Sequence, residues 1–533
     1  MSKNMRRTAF GSLALVAFVT AFVLTASVSA FDLDSLLVKS VGGEQAKDRM
    51  ESVRTFYLKG NVSLNGMPGK MELAYLYPDR LLFRMDLGGF SLAQGVDGVT
   101  AWQQDHNGAV SELSGYEKRE LRNQLFFYSC SYLFDDRESG GKEYLGLEDR
   151  DGVTCHKVAF YPFNQDTVYA YFDTATADMI QMVSQLDNLT SITTSDDFRT
   201  VEGIRQAFHS KMKTLEAPIS MESFVTYCRY DTTLAVSMFE RPDNTVRDYG
   251  FPSEKDVVSV PFNYINGHIY VPVTINGKRK VRLILDSGAS ANIFNEKALD
   301  GLNLEPIGKL PAKGVAGYEE ADLYKTDSLQ IGDLTLYSQV GGAMDLSMIG
   351  DSVMNEPFGG VLGYDFLSRF PMSLDFKNQT LVVYNPDRFV PKPGGTIIPF
   401  RLTMNIPTVR AELDSVSGDF IVDLGNAFGV IVHEEFYKRH NLQDRLKNIQ
   451  EAPGSLGGVG GGVKNLSAVA DRFAVGEIEI PDMWLMIART GQGLTGSAEL
   501  AGNIGSQFWR QYEVLLDYPR SRLIVYPPDQ EGN

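Results

Sequence analysis

The sequence predicts a mainly β protein in which two similar β lobes follow an antiparallel half-barrel domain with a few helices. Two observations indicate the lobes. An apolar run that ends in an acid, with glycine two places on, occurs at Asp286 and again at Asp423. Residues 363–384 also align without a gap to residues 505–526, as expected of an internal repeat. The half-barrel is indicated by consecutive strand-like segments between residues 56 and 183.

The chain opens with the features of an export signal. Basic residues near the N-terminus precede an apolar stretch at residues 9–26, and Val-Ser-Ala at residues 28–30 offers a small-residue cleavage site. We therefore expect residues 1–30 to be a signal peptide and the protein to be exported, to the periplasm or beyond the cell. The apolar stretch is also long enough for an uncleaved N-terminal membrane anchor, so that alternative stays open.

Composition restricts the expected partners and the cysteine chemistry. The formal net charge of -17 argues against binding to nucleic acid. The three cysteines, Cys130, Cys155 and Cys228, all lie in the first half of the chain. One disulfide with one thiol left over is possible after export, and the pairing stays open.

The first structural unit is expected at residues 31–240. Residues 34–53 have helical spacing and predict an opening helix. Strand-like segments with turn punctuation follow and predict a curved antiparallel sheet. These segments lie at residues 56–64, 70–77, 81–87, 99–103, 157–161, 167–172 and 179–183.

The order of short motifs in this unit resembles the bacterial LolA-like lipoprotein-carrier superfamily. The motifs are Lys-Gly-Asn-Val at 59–62, Tyr-Pro-Asp-Arg-Leu at 77–81, Asp-Gly at 97–98 and Ala-Trp at 101–102. The resemblance implies an incomplete barrel that holds an apolar or lipidated ligand in a concave pocket. The alternative is an antiparallel domain with an ordinary filled core.

Proline and glycine mark the remaining boundaries. The polar stretch at residues 241–256 predicts a linker, and Pro391, Pro393 and the following glycines predict a joint between two lobes. Lobe 1 is therefore expected at residues 257–391 and lobe 2 at residues 392–533.

The acid of each lobe lies in a motif that resembles the active-site loop of aspartic peptidases. Asp286-Ser287-Gly288-Ala289 follows an apolar strand, and Asp423-Leu424-Gly425-Asn426 repeats the pattern. An apolar-apolar-Gly element, Val361-Leu362-Gly363, follows in lobe 1, and Asn503-Ile504-Gly505 follows at the same place in lobe 2, where Asn503 departs from the apolar pattern. The resemblance is to retropepsin-like peptidases of clan AA, with both lobes fused in one chain. It implies catalytic Asp286 and Asp423, support from Ser287, Gly288, Gly425 and Asn426, and a monomer.

The second loop departs from the family pattern. Leu424 stands where the family has Thr or Ser, so only Ser287 can make the hydrogen bonds that cross between the loops. Asn426 could donate a hydrogen bond to the Asp423 carboxylate, and we therefore predict that Asp423 is ionised and Asp286 protonated. The alternative is a pseudo-enzyme whose second loop no longer supports catalysis.

Each lobe carries a glycine-rich segment where retropepsin-like peptidases have a flap. In lobe 1 the expected flap residues are Gly314, Gly317 and Tyr318, and in lobe 2 the segment is residues 454–462. A glycine hairpin here could close over an extended peptide and exclude water. A plain loop remains the alternative for both segments.

These residues predict an exported aspartic endopeptidase that acts on polypeptides. Two adjacent carboxyl groups share one proton and can activate a water without a metal or cofactor. His433-Glu434-Glu435 lacks the second histidine of a zinc-binding helix, so no metal site is expected. The competing hypothesis is an inert periplasmic binding protein, in which the first domain carries an apolar or lipidated ligand and the lobes are scaffold.

Overall fold

Strands make up most of the described chain. The computed structural model describes residues 31–244, 246–315, 317–349, 352–353, 356–490 and 492–527, so the predicted signal peptide lies outside the described residues. Among the described helices, none combines the length and the apolar composition needed to cross a bilayer. The predicted fold class, mainly β with two similar lobes behind an antiparallel half-barrel, is confirmed.

The N-terminal domain is an antiparallel sheet of thirteen strands, all within residues 55–230, which are fully described. Its first strand, β1, pairs with its last, β13, in the middle of the sheet, so the strands run outward from this pair in two opposite directions. The strands are β1 (Thr55–Leu64), β2 (Met67–Leu76), β3 (Arg80–Asp86), β4 (Ser91–Asp97), β5 (Ala101–Gln104), β6 (Val110–Glu112), β7 (Gly140–Arg150), β8 (Val153–Pro162), β9 (Val168–Asp173), β10 (Met179–Leu186), β11 (Leu189–Val201), β12 (Ile204–Thr214) and β13 (Ser220–Tyr230).

Helices cover the inner face of this sheet. The predicted opening helix is two helices, α1 (Leu33–Ser40) and α2 (Glu44–Ser52), because Gly42 and Gly43 between them adopt positive φ angles of 114° and 93°. A third helix, α3 (Gly115–Tyr128), packs with them in one apolar core. That core contains the fully buried aromatic side chains of Phe126, Phe160 and Phe172.

Lobe 1 is built on a mixed sheet. In the part of the lobe that the structure describes, the strand order is β14-β22-β19-β24-β18-β17-β21-β20, with β16 beside β17 and β23 beside β24. The elements are β14 (Tyr249–Gly250), β15 (Val257–Pro261), β16 (Asn263–Ile265), β17 (His268–Ile275), β18 (Arg279–Leu285), β19 (Ile293–Asn295), α4 (Glu296–Leu299), β20 (Pro306–Lys313), β21 (Tyr318–Ile331), β22 (Leu334–Met344), β23 (Ser352–Val353), β24 (Glu356–Leu362), α5 (Tyr364–Leu367), β25 (Pro371–Asp375) and β26 (Thr380–Tyr384).

Lobe 2 repeats this plan. Its described strands follow the order β28-β29-β30-β37-β31-β36-β35-β32, and β33 pairs with β34. The elements are β27 (Thr396–Pro399), β28 (Arg401–Thr403), β29 (Ile406–Leu413), β30 (Val416–Asp423), β31 (Val430–Val432), α6 (Glu434–Arg439), β32 (Lys447–Glu451), β33 (Leu456–Gly458), β34 (Gly461–Val463), β35 (Asn465–Val475), β36 (Ile478–Ala488), β37 (Leu500–Gly505), α7 (Ser506–Trp509), β38 (Glu513–Asp517) and β39 (Arg522–Tyr526).

A further sheet joins the two lobes. Its order is β15-β26-β25-β38-β39-β27, so each lobe supplies one half. The aligned repeats produce equivalent elements here: the short helices α5 and α7 are followed by the hairpins β25–β26 and β38–β39. The pairing of β25 with β38 fixes the two lobes against each other along their common edge.

The half-barrel domain contacts both lobes through two turns. The turn between β5 and β6 places Asn107 in lobe 1, where its Nδ2 donates to Asp365 Oδ1 at 2.9 Å. The turn between β10 and β11 places Asp187 against lobe 2, where its Oδ1 accepts from the backbone N of Ala498 at 2.6 Å. Leu323 of lobe 1 is in turn part of the apolar core of the half-barrel.

The predicted linker is packed against lobe 1. Tyr249–Gly250 forms the edge strand β14 beside β22. Asp248 accepts a hydrogen bond from Arg369, whose side chain is 2% exposed, at 2.8 Å. The connection between the first domain and the lobes is therefore held by strand pairing and a buried ion pair.

Candidate active site

The two predicted aspartates lie at the ends of equivalent strands. Asp286 directly follows β18, which runs parallel to β24, and its backbone N donates to Leu362 O at 3.0 Å. Asp423 ends β30, which runs parallel to β37 in the other lobe. Because each pair of parallel strands stops at the same edge, the carboxyl groups project from matching places in the two lobes.

The two carboxyl groups meet between the lobes and form a hydrogen bond with each other. Asp286 Oδ1 also accepts from the backbone N of Gly288 at 2.7 Å and of Gly425 at 3.2 Å. Asp423 Oδ1 accepts from the backbone N of Asn426 at 2.9 Å. The structure thus brings the predicted aspartates together and surrounds them with backbone donors from both loops.

Ser287 links the two loops across the lobe interface. Its Oγ donates to Val422 O at 2.6 Å and accepts from the backbone N of Leu424 at 3.0 Å. Ser287 and Leu424 are both fully buried, and Leu424 belongs to the main apolar core of the lobes. The leucine therefore supplies packing at the position where the family pattern supplies a second hydroxyl.

The side-chain donor to Asp423 differs from the prediction. The side chain of Asn426 does not donate to Asp423, because its Nδ2 is buried without a hydrogen-bond partner among the described residues, while its Oδ1 accepts from the backbone N of Phe428 at 2.9 Å. The donor is Asn503, whose Nδ2 lies 2.5 Å from Asp423 Oδ2. Sequence reasoning treated Asn503 only as a departure from the apolar-apolar-Gly pattern, although an amide in an otherwise apolar strand was the available signal for a donor.

Burial raises the pKa of both aspartates. Burial and the neighbouring charge of Asp423 raise the pKa of Asp286 to about 8. Burial also raises the pKa of Asp423, but the hydrogen bonds from Asn503 and from the Asn426 backbone oppose this rise. The donors therefore favour the charge on Asp423 and the proton on Asp286.

A glycine-rich hairpin from each lobe approaches the other lobe. The first hairpin joins β20 to β21, and Gly314 N donates to Gly317 O at 2.8 Å across its tip. The second hairpin joins β33 to β34 within the predicted glycine-rich stretch of lobe 2. Both glycine-rich segments are thus hairpins, which excludes the plain-loop alternative for the described residues.

The tips of the two hairpins meet, and each places a valine against the other lobe. Gly314 lies so close to the second tip that a Cβ added to it would be 2.0 Å from Val459 O. Val459 packs against an apolar cluster of lobe 1, and Val315 packs against the equivalent cluster of lobe 2. The lobe 1 cluster contains Tyr270, Ile284, Ala321, Met344, Leu346 and Phe358, and the lobe 2 cluster contains Ile431, Leu456, Val463, Met486 and Ala488.

The charged neighbours of Tyr318 belong to the first domain. Burial raises the pKa of Tyr318 to about 12, and the negative charges of Asp187 and Glu216 add to this effect. Asp187 and Glu216 are residues of the half-barrel domain. The first hairpin therefore lies against the half-barrel at Tyr318, one residue from Gly317 at its tip.

Lobe 1 also contacts the second aspartate loop through the turn that precedes β17. A Cβ added to Gly267 would lie 2.5 Å from Ala427 O, and Gly267 O accepts from Ser506 Oγ at 2.5 Å. His268 hydrogen-bonds to the backbone of Gly425, and burial lowers its pKa. Sequence reasoning did not identify His268, because nothing in the local pattern places it beside the other lobe.

The described part of the chain contains no group of three or more His, Cys, Asp or Glu side chains arranged to hold a metal ion. All three cysteines are described, and each is buried with a free thiol. Burial raises the pKa of Cys130 to about 11, so this thiol is protonated at neutral pH.

The chain is similar to known aspartic proteases in sequence and to two kinds of protein in structure. Residues 271–366, which include Asp286 but not Asp423, match the aspartyl protease family. No curated protein matches the chain. Among solved structures, an aspartic proteinase from Irpex lacteus has 14% identity and a TM-score of 0.34, and covers 51% of this chain and 98% of its own.

Two other solved structures are similar at comparable levels. A domain named as an outer membrane lipoprotein-sorting protein, from Vibrio parahaemolyticus, has 14% identity and a TM-score of 0.27, and covers 37% of this chain and 93% of its own. A DUF1329 family protein from Desulfovibrio piger has 15% identity and a TM-score of 0.28, and covers 39% of this chain and 95% of its own. The chain thus combines a segment that matches the aspartyl protease family, within the first of two repeated β lobes, with an antiparallel half-barrel domain.

Proposed function

We propose that this protein is an aspartic endopeptidase whose catalytic pair is Asp286 and Asp423. The observation that carries the proposal is the contact between the two carboxyl groups, one from each lobe, within loops that Ser287 joins. Such a pair cannot ionise twice, so it keeps one proton at neutral pH. A buried pair with one shared proton has the protonation state that water activation requires.

The proposed mechanism uses the asymmetry of the pair. Ionised Asp423 takes a proton from a water held between the carboxyl groups while that water attacks the peptide carbonyl. Protonated Asp286 donates a hydrogen bond to the oxyanion that develops. When the tetrahedral intermediate collapses and its C–N bond breaks, Asp423 passes the proton it took from the water to the leaving amine, and Asp286 keeps the one proton of the pair.

The hairpins suggest which peptides would bind. A substrate that enters between the lobes has to displace Val315 and Val459 from the apolar clusters that they occupy. We propose that apolar side chains of an extended peptide replace these valines on either side of the scissile bond. The peptide backbone would then pair with the hairpins in the manner of an added β-strand.

We further propose that the protein is exported and acts as a monomer. The export proposal depends on residues 1–30, and the monomer proposal on the presence of both aspartate loops in one chain. For the half-barrel, we propose a role in supporting the first hairpin, because Leu323 and Val340 of lobe 1 share its core.

The test compares residues 31–533 with the Asp286→Asn and Asp423→Asn variants. Each protein is incubated with a mixed peptide library from about pH 4 to pH 8, and products are identified by mass spectrometry. We expect cleavage by the parent protein, beside apolar residues, and its loss in both variants. The proposal is overturned if the folded parent protein cleaves nothing, or if the variants cleave equally well.

A further inference from the structure

The two aspartates differ in what lies behind them. In lobe 2, Ile431 of β31 faces Asn503 of β37, and in lobe 1 the equivalent pair is Ile293 and Val361. Asn503 is 5% exposed, and its Nδ2 donates to the Asp423 carboxylate at 2.5 Å. The lobe 1 counterpart is apolar, so it cannot donate to Asp286. At this position a buried amide therefore donates a hydrogen bond to Asp423, and no equivalent amide donates to Asp286.

A second buried side chain fixes the orientation of this amide. Asn503 Oδ1 lies 2.7 Å from His433 Nε2. Because a carboxylate only accepts hydrogen bonds, the amide NH2 faces Asp423 and the amide oxygen faces the imidazole. His433 therefore donates through its Nε2–H. The imidazole also lies beside the backbone of Leu500, although its buried Nδ1 makes no well-aligned hydrogen bond with the described residues.

The charged groups around His433 act in opposite directions. The negative charge of Asp187 raises the pKa of His433, the positive charge of Lys313 lowers it, and burial is the largest effect. The pKa of His433 is lowered to about 4 as a result. Its imidazole is therefore neutral over most of the range from about pH 4 to pH 8 in which cleavage is tested. Asp286, across the lobe interface, hydrogen-bonds to Asp423, and the negative charges of both aspartates add to burial in raising the pKa of the nearby Tyr518.

We propose that Asn503, oriented by His433, is a positioning residue that keeps the negative charge of the pair on Asp423 and the shared proton on Asp286. This inference rests on the proposed endopeptidase function and gives the physical reason for the different roles of the two aspartates. Asp423 is the member that accepts the proton of the water, and Asp286 is the member that donates to the substrate carbonyl.

The first test replaces Asn503 by Val, the residue of the equivalent position in lobe 1. Loss of the donor destabilises the ionised form of Asp423, so the lower of the two titration midpoints of the pair rises, by about one pH unit. The acidic limb of the kcat/KM profile moves in the same direction. An acidic limb that stays in place in folded Asn503→Val overturns the proposal.

The second test uses a matched pair of variants at His433. His433→Gln keeps an N–H that can donate to the Asn503 amide oxygen, whereas His433→Leu removes it. We expect the acidic limb to shift in His433→Leu and to stay near its parent position in His433→Gln. Equal shifts in the two variants would show that the site responds to packing alone, which overturns the positioning role.

A readout that does not depend on cleavage separates this inference from the proposed function. Carboxyl carbons of 13C-aspartate-labelled protein are titrated by NMR, and the signals of the pair are assigned with Asp286→Asn and Asp423→Asn. If the parent protein cleaves no peptide but the lower midpoint is still higher in Asn503→Val than in the parent, the positioning role is supported and the endopeptidase function is overturned. Unchanged midpoints overturn the positioning role whether or not the parent protein cleaves.

Discussion

The backbone of Gly425 lies against the carboxyl group of Asp286. A Cβ added to Gly425 would be 2.3 Å from Asp286 Cγ and from Asp286 Oδ2. Gly288 has the reciprocal relationship, since its Cβ would be 2.6 Å from Asp423 Oδ1. The glycine of each loop is therefore required by the aspartate of the other lobe.

We accordingly expect Gly425→Ala to separate the two carboxyl groups and to abolish peptide cleavage, because backbone and carboxyl atoms at this distance must move apart. Cleavage rates on one library peptide provide the measurement. Gly429→Ala is the matched control in the same loop, since the nearest atom to its Cβ would be Met483 Cε at 3.4 Å. Full activity of Gly425→Ala would contradict the close approach.

Ser287→Ala should destabilise the fold more than its size suggests. The change leaves Val422 O and Leu424 N without their buried partner, which costs about 2 to 4 kcal/mol in the free energy of unfolding. Urea unfolding at pH 7 gives the value. Ser290→Ala, at an exposed position of the same loop, serves as control and is expected to cost less than about 0.5 kcal/mol. Similar costs for both variants would argue against the crossing hydrogen bonds.

Burial of His433 makes stability depend on pH. Its pKa is lowered from 6.5 to about 4, so between these values the unfolded chain binds a proton that the folded protein does not. This contribution to stability is complete above about pH 6.5 and is lost as the pH falls to about 4. The total loss is about 3 kcal/mol.

The prediction is tested by urea unfolding of the parent protein and His433→Gln at several pH values between 7 and 4. Taking the difference between the two proteins removes the titration of the carboxyl groups that they share. We expect the stability of the parent protein relative to the variant to decline as the pH falls. A difference that does not change with pH would show that His433 is not buried in its neutral form.

Adding one methyl group at Gly314 should separate the tips of the two hairpins. Gly314→Ala cannot keep its distance from Val459 O, so the tips move apart and the amides of residues 456–463 exchange hydrogen faster. Hydrogen exchange followed by mass spectrometry measures this. Gly457→Ala is the control, because no atom lies within 4 Å of its added Cβ. Identical exchange in the parent protein and Gly314→Ala would mean that the tips do not meet in solution.

Asp187 links the half-barrel to the strand that carries Asn503. Its Oδ1 accepts from Ser497 Oγ at 2.9 Å and from the backbone N of Ala498 and Glu499 at 2.6 and 3.3 Å. In Asp187→Ala these groups lose their buried acceptor, and we expect the two amides to exchange about tenfold faster. Asp196→Ala changes an aspartate that is 71% exposed on β11 and should leave this exchange unaltered. Unaltered exchange in Asp187→Ala would refute the link.

Local pattern in the sequence determined the main features of this protein. Apolar runs that stop at Asp286 and Asp423 predicted two equivalent strand ends, because a buried strand and the turn after it leave a direct signature of residue types. The repeat of residues 363–384 in residues 505–526 predicted two equivalent lobes. Alternating strands and turns predicted the antiparallel sheet of the first domain, although one predicted helix is two.

Only the tertiary structure decided which polar groups serve the pair. Asn503 contacts Asp423 because β37 runs beside β30, and His433 reaches Asn503 because β31 lies on the other side of β37. Other contacts also join residues that are distant in the chain. Val315 and Val459 each pack against the opposite lobe, and Asn107 and Asp187 of the half-barrel hydrogen-bond to the lobes. Periodicity reports which face of a strand is buried, whereas the neighbour across a sheet or domain contact depends on how the whole chain packs.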